Sequence, residues 1–136
     1  MNAIDRALQY SRTVRDADLR CAIMQLSRSL AGHLTDTETY WTFSGLSRLA
    51  GVPADDPVLI SAVRVLCSEA DARLLDMHFL YYSPVRDTNG EPIDDSAVAD
   101  AYKSGFIVDP YNGEEIANFE EYLVPYFQVR QGLDHV

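Results

Sequence analysis

Apolar positions in the first thirty residues recur at intervals of three and four, the spacing that gathers side chains on one face of a helix. Ile4, Ala7, Leu8 and Ser11 form one series, and Leu19, Ile23, Leu26 and Leu30 form a second in a new phase after Asp16. The pattern predicts two helices, or one bent helix, ending near residue 31. Gly32 stands where a left-handed residue would close the helix, and the polar run from Thr35 to Thr39 reads as a connecting loop.

From Trp41 to Ser83 the pattern predicts a helix, a glycine turn, a second helix and a strand in unbroken succession. Tyr40, Trp41 and Thr42 suit a short strand, and Thr42 or Ser44 can cap the segment from Gly45 to Ala50, with Leu46 and Leu49 inward and Gly51 closing it. Asp55 or Asp56, followed by Pro57, then marks a helix start. Ile60, Val63, Cys67, Ala70 and Leu74 give its expected buried stripe, with Ser61, Arg64, Ser68 and Asp71 opposite. Residues 74–82, LLDMHFLYY, are rich in β-forming side chains and read as a strand that doubles back through Asn89-Gly90 as a wing.

Beyond it, Asp94 or Asp95 can cap a helix with Val98, Ala101 and Tyr102 inward and Gly105 at its end. Pro110 and Asn112-Gly113 punctuate a small hairpin between Phe106 and Ile116. Asn118 with Glu121 forms a capping pair, which predicts a last helix kinked at Pro125 that returns Tyr122, Leu123, Tyr126 and Phe127 to the body. The expected fold class is therefore α+β. A length of 136 residues supports one domain: N-terminal helices over 1–34, a central body over 40–92, and a helix-hairpin-helix extension over 93–130.

The segment LSRLAGVPADDPVLISAVRVL resembles the helix-turn-helix of winged-helix proteins. Leu49-Ala50-Gly51-Val52 matches the end of the first helix and the turn, and Ile60 to Leu66 matches the inward face of the second. The departure is the turn, which runs long from Pro53 to Pro57. The resemblance implies a second helix that enters the major groove and offers basic or amide side chains to base edges. Here that position holds Asp55, Asp56, Pro57, Val58 and Leu59, so the carboxylates would face phosphate. Arg48, Arg64, Arg73 and Arg86 are the residues from which a DNA-binding strip would have to be built.

Charge shifts the reading further. The formal net charge is −10, and residues 1–75 hold eight arginines against nine acids, whereas residues 76–136 hold Arg86, Lys103 and Arg130 against twelve. Acidity of that kind repels phosphate backbones and favours basic protein partners. No basic leader or long apolar run is present, so a cytoplasmic location without membrane partners is expected.

Catalytic chemistry finds little footing. His33, His78 and His135 lack ligand spacing; His78 reads as a partly buried strand aromatic, and Cys21 and Cys67 read as buried thiols. Adjacent acids such as Asp94-Asp95 diverge on a helix or strand, the fragment from Asp87 to Glu91 lacks the remainder of a calcium loop, and no glycine-rich phosphate loop follows a strand. A non-enzyme without cofactor or metal is expected.

The function that fits is an acidic protein-interaction or adaptor module on a winged-helix-like scaffold. Its expected partner surface is Tyr111, Glu114, Glu115, Glu120, Glu121, Tyr122 and Tyr126, where aromatic anchors lie among carboxylates. The N-terminal helices are candidates for self-association. The alternatives are a DNA-binding regulator and a phage-type inhibitor that imitates DNA.

Overall fold

The computed structural model describes residues 2–36, 38–86 and 90–133. The chain is α+β and divides into two compact units, one comprising Met1–Met77 with Phe127–Val136 and the other His78–Tyr126. The boundaries between the units fall at 77/78 and 126/127.

The first unit starts with α1 (Ala3–Ser11) and α2 (Ala17–Leu30), two separate helices. Asn2 accepts the Asp5 N–H at 2.8 Å and Asp16 accepts the Leu19 N–H at 3.0 Å, so each helix has its own cap and a new start at Asp16 costs little. Gly32 does not close α2 in a left-handed conformation; it lies inside a 3-10 turn, Ala31–His33. Next come α3 (Phe43–Ala50), capped by the Thr42 hydroxyl and closed by Gly51 at φ 72°, and α4 (Pro57–Ser68), whose Val58 N–H donates to Asp56 at 2.9 Å. α2 packs against α1, α3 and α4, and Ile23, Leu26, Leu46, Leu59 and Leu66 form a fully buried core.

The buried face of α4 differs from the expected stripe. Leu59, Ala62, Val63 and Leu66 face the core, whereas Ile60 is 40% exposed and Ala70 lies past the end of the helix. The helix stops at Ser68, so Ala70 and Leu74 never belonged to its register; the residues that remain define a stripe turned toward Leu59.

β1 (Leu75–Tyr81) follows, then β2 (Glu91–Ile93), paired antiparallel with Phe79 opposite Ile93 and Tyr81 opposite Glu91. Asn89 of the expected turn lies outside the described residues. α5 (Asp95–Ser104) ends at Gly105 with φ 90°, and β3 (Ile107–Val108) pairs antiparallel with β4 (Glu115–Ile116) around Gly113. Tyr81, Val98, Ala101, Ile107, Ile116, Phe119 and Leu123 are the core of the second unit. Tyr102 is 56% exposed instead of inward, with its ring edge against Phe119 at 5.2 Å.

The predicted last helix is absent. Asn118 does bond Glu121, but the pair organises only the 3-10 turn Phe119–Tyr122, after which β5 (Leu123–Val129) runs extended through Pro125. The sheet order is β2-β1-β5. The Tyr82 N–H donates to the Tyr122 carbonyl and the Arg130 N–H to the Leu74 carbonyl, while Phe127 exchanges both backbone bonds with Trp41. Even-numbered residues of β5 thus face β1, and Pro125, like Phe127, turns its nitrogen to the other side, where no β1 bond is lost.

The same alternation fixes β2. Even-numbered residues of β1 face β5, so Phe79 and Tyr81 face β2 and bond Ile93 and Glu91. Pro92 between them points to the open edge, where it offers a carbonyl and no N–H.

Candidate functional site

In the second unit, β2, α5 and β3 enclose a cleft of about 550 Å³. α5 forms because Asp94 and Asp95 favour a helix start and Val98 and Ala101 supply one buried face. That face turns Ala97 toward the cleft and leaves Asp100 on its rim. Tyr81, Ile93, Ala97, Phe106 and Ile107 give an apolar lining, and Glu91, Asp94 and Asp100 supply three exposed carboxylates. No lysine or arginine among the described residues lines it.

One wall is held by a buried carboxylate. Asp109 has no solvent exposure, and its Oδ2 accepts hydrogen bonds from the Tyr81 and Ser83 hydroxyls, each at 2.6 Å. Its Oδ1 accepts the Tyr111 N–H at 2.8 Å, an Asx turn that shapes the β3–β4 connection. Burial pushes the Asp109 carboxyl up, but the hydrogen bonds from Ser83, Tyr81 and the backbone of Tyr111 and Asn112 outweigh it and hold the group below its ordinary range. The Tyr81 phenol is pushed up, first by burial and then by its bond to Asp109. A buried charge with every oxygen engaged is a structural clamp rather than a base awaiting a substrate.

The expected partner residues are distributed unevenly. Glu114, Glu115, Glu120 and Glu121 are exposed, Tyr122 is half-buried, and Tyr111 is 38% exposed beneath the Arg86 guanidinium, which lies 4.3 Å from its ring centre. A hydrogen bond to Glu91 raises the Tyr111 phenol, so Arg86, Tyr111 and Glu91 form one polar group beside the cleft. Tyr126, contrary to the expectation of an exposed anchor, is only 6% exposed, a core residue whose ring lies 5.5 Å from that of His78. The expected partner surface did not include Asp109, Ser83, Glu91, Asp94 or Asp100. An aspartate before a proline in Asp-Pro-Tyr-Asn-Gly was a legible signal for an Asx turn, but nothing local pointed to Tyr81 and Ser83.

His78 is partly buried on β1, as expected, and its Nδ1 lies 3.0 Å from both oxygens of Asp95. Among the described residues no group of three or more His, Cys, Asp or Glu side chains could hold a metal, and no helix is long and apolar enough to cross a membrane. His135 and residues 87–89 of the calcium-like fragment lie outside the described residues.

The two thiols differ from each other. Cys21 is exposed, contrary to expectation, because it sits off the Leu19–Ile23–Leu26 face of α2, while Cys67 is half-buried and its thiol is pushed up to about 12 by burial and by Asp76, against the opposing pull of Arg73. With iodoacetamide at neutral pH, intact mass spectrometry is expected to show one rapid adduct, at Cys21, and a second only after unfolding. Two adducts at equal rates would refute this contrast.

Two of the four arginines of the DNA-binding alternative, Arg73 and Arg86, have side-chain partners within their own units. Arg73 pairs with Asp76 at 3.1 Å, where Arg130 also approaches, and Arg86 covers Tyr111. Arg48, on the last turn of α3, and Arg64, on the outer face of α4, are exposed. At the start of α4, Asp56 is committed to its cap. No family model, no curated protein and no solved structure matches the chain.

Proposed function

We propose that the protein is a non-catalytic interaction module whose second unit binds a basic protein partner, on a scaffold that is winged-helix-like in its order of α3, turn, α4, β1 and β2. One observation carries this reading. Residues 78–126 hold ten carboxylates, of which Asp109 is buried, against Arg86 and Lys103, and Tyr82, Tyr102 and Tyr111 are exposed in the same unit. Such a surface attracts cations at long range and offers aromatic anchors at short range. The DNA-binding alternative has less support, since the α4 start carries Asp55 and Asp56 and Arg73 is ion-paired. Self-association through α1 and α2 has less support also, because Ala3, Ile4, Ala7, Ile23 and Leu26 are spent in the chain's own core.

The test is retention from a native lysate on the immobilised full chain, washed with rising salt. A partner is expected to elute between about 0.1 and 0.5 M salt, and Glu114, Glu115, Glu120 and Glu121 changed together to Gln are expected to lower that threshold. A partner indifferent to salt and to the four substitutions would overturn the electrostatic reading.

A further inference from the structure

The geometry points to the cleft between β2, α5 and β3 as the docking site for a short basic segment that carries a bulky apolar side chain, held by side-chain contacts and not by strand addition. This rests on the interaction reading above and names its ligand class. The first support is charge complementarity: Glu91, Asp94 and Asp100 surround an apolar floor that includes Ile93, Ala97 and Phe106, and no basic side chain among the described residues lines it. An apolar ligand alone would make no use of the carboxylates at the rim. A cation alone would leave the floor unused. Only a segment with both features fits, such as Leu or Phe flanked by Arg or Lys, and a volume of about 550 Å³ accommodates such side chains.

The second support concerns how the segment is held. β2 is the end strand of its sheet, and an open edge normally invites an added strand. Here Pro92 occupies the outward-facing position and gives that edge no N–H between Glu91 and Ile93. A ladder is therefore blocked where the cleft lies. Specificity falls instead on the apolar floor and on the three carboxylates, with Asp100 held on α5 and Glu91 held in the group with Tyr111 and Arg86.

The experiment uses the full chain and a fluorescein-labelled Arg-Arg-Leu-Phe-Arg-Arg peptide, read by anisotropy. Binding is expected, with a loss of about fivefold on changing Asp94 and Asp100 together to Asn. Ala97→Trp, which fills the floor, is expected to cost at least about tenfold, with circular dichroism verifying the fold. A peptide N-methylated on alternate backbone nitrogens is expected to bind as well as the parent. Loss of binding on N-methylation would overturn the side-chain mode. If binding ignores Ala97→Trp and the Asp94/Asp100 change but weakens when Glu114, Glu115, Glu120 and Glu121 become Gln, the cleft assignment fails while the acidic-partner reading stands. If no basic peptide binds at low salt, both fail.

Discussion

Replacing Phe127 with alanine is expected to destabilise the first unit by about 4 kcal/mol, the range for deleting a large buried ring. Phe127 is 1% exposed, meets the Phe43 ring edge-on at 5.0 Å and exchanges backbone bonds with Trp41 at 2.7 and 2.8 Å. Alanine leaves those backbone bonds possible but empties the space around them. Val124→Ala, on the same strand at a position 39% exposed, is the control and should cost under about 0.5 kcal/mol. Urea unfolding measures both, through the midpoint at constant slope. A loss below about 1 kcal/mol at Phe127 would contradict a close-packed ring.

The second large effect is expected at Asp109. Asp109→Ala strands the Tyr81 and Ser83 hydroxyls and the Tyr111 N–H, and should cost about 3 kcal/mol, whereas Tyr81→Phe removes one donor and should cost about 1 kcal/mol. Equal losses would mean that the carboxylate does not unite the cluster.

The pH dependence of the clamp has two limbs. Burial raises the Asp109 carboxyl, its hydrogen bonds lower it more, and the folded value lies below the ordinary 3.8. The stabilisation is therefore complete above pH 3.8 and lost as pH falls through the lower folded value. The Tyr81 phenol moves the opposite way from its ordinary 10.0, so its contribution is complete below pH 10.0 and fades as pH rises through the higher folded value. Acid unfolding of the wild type and Asp109→Asn should show the wild-type advantage shrinking below about pH 4. A constant difference would refute the linkage.

Helices were legible because their signals are local. Asp16, Thr42 and Asp56 each accept an N–H two or three residues on, and Gly51 and Gly105 take the left-handed conformations expected at helix ends. β5 was hidden because Pro125 argues against a strand until its neighbours are known. The bonds of Phe127 to Trp41 and of Arg130 to Leu74 decide which way the proline faces, and they come from far along the chain. Ile60 departs from its expected place in the core because a stripe of threes and fours has more than one phase in an apolar segment, and the end of α4 at Ser68 selects between them. The acidity of the second half was plain from composition, but its cleft required α5 to meet β2 and β3. Asp109 was least legible, since its hydroxyl partners stand 26 and 28 residues earlier.

The first unit is interrupted: the chain leaves it after Met77 and regains it at Phe127. During synthesis, the ribosome therefore delivers α1 to α4 with their core still lacking Phe127 and Val129, two side chains that are nearly inaccessible in the finished structure. Residues 78–126 are continuous and need no such wait, and short loops close at less entropic cost than long ones. The order of closure is thus expected to be the reverse of the order of translation, with the nascent N-terminal helices keeping an apolar surface uncovered until the strand that seals them has left the exit tunnel.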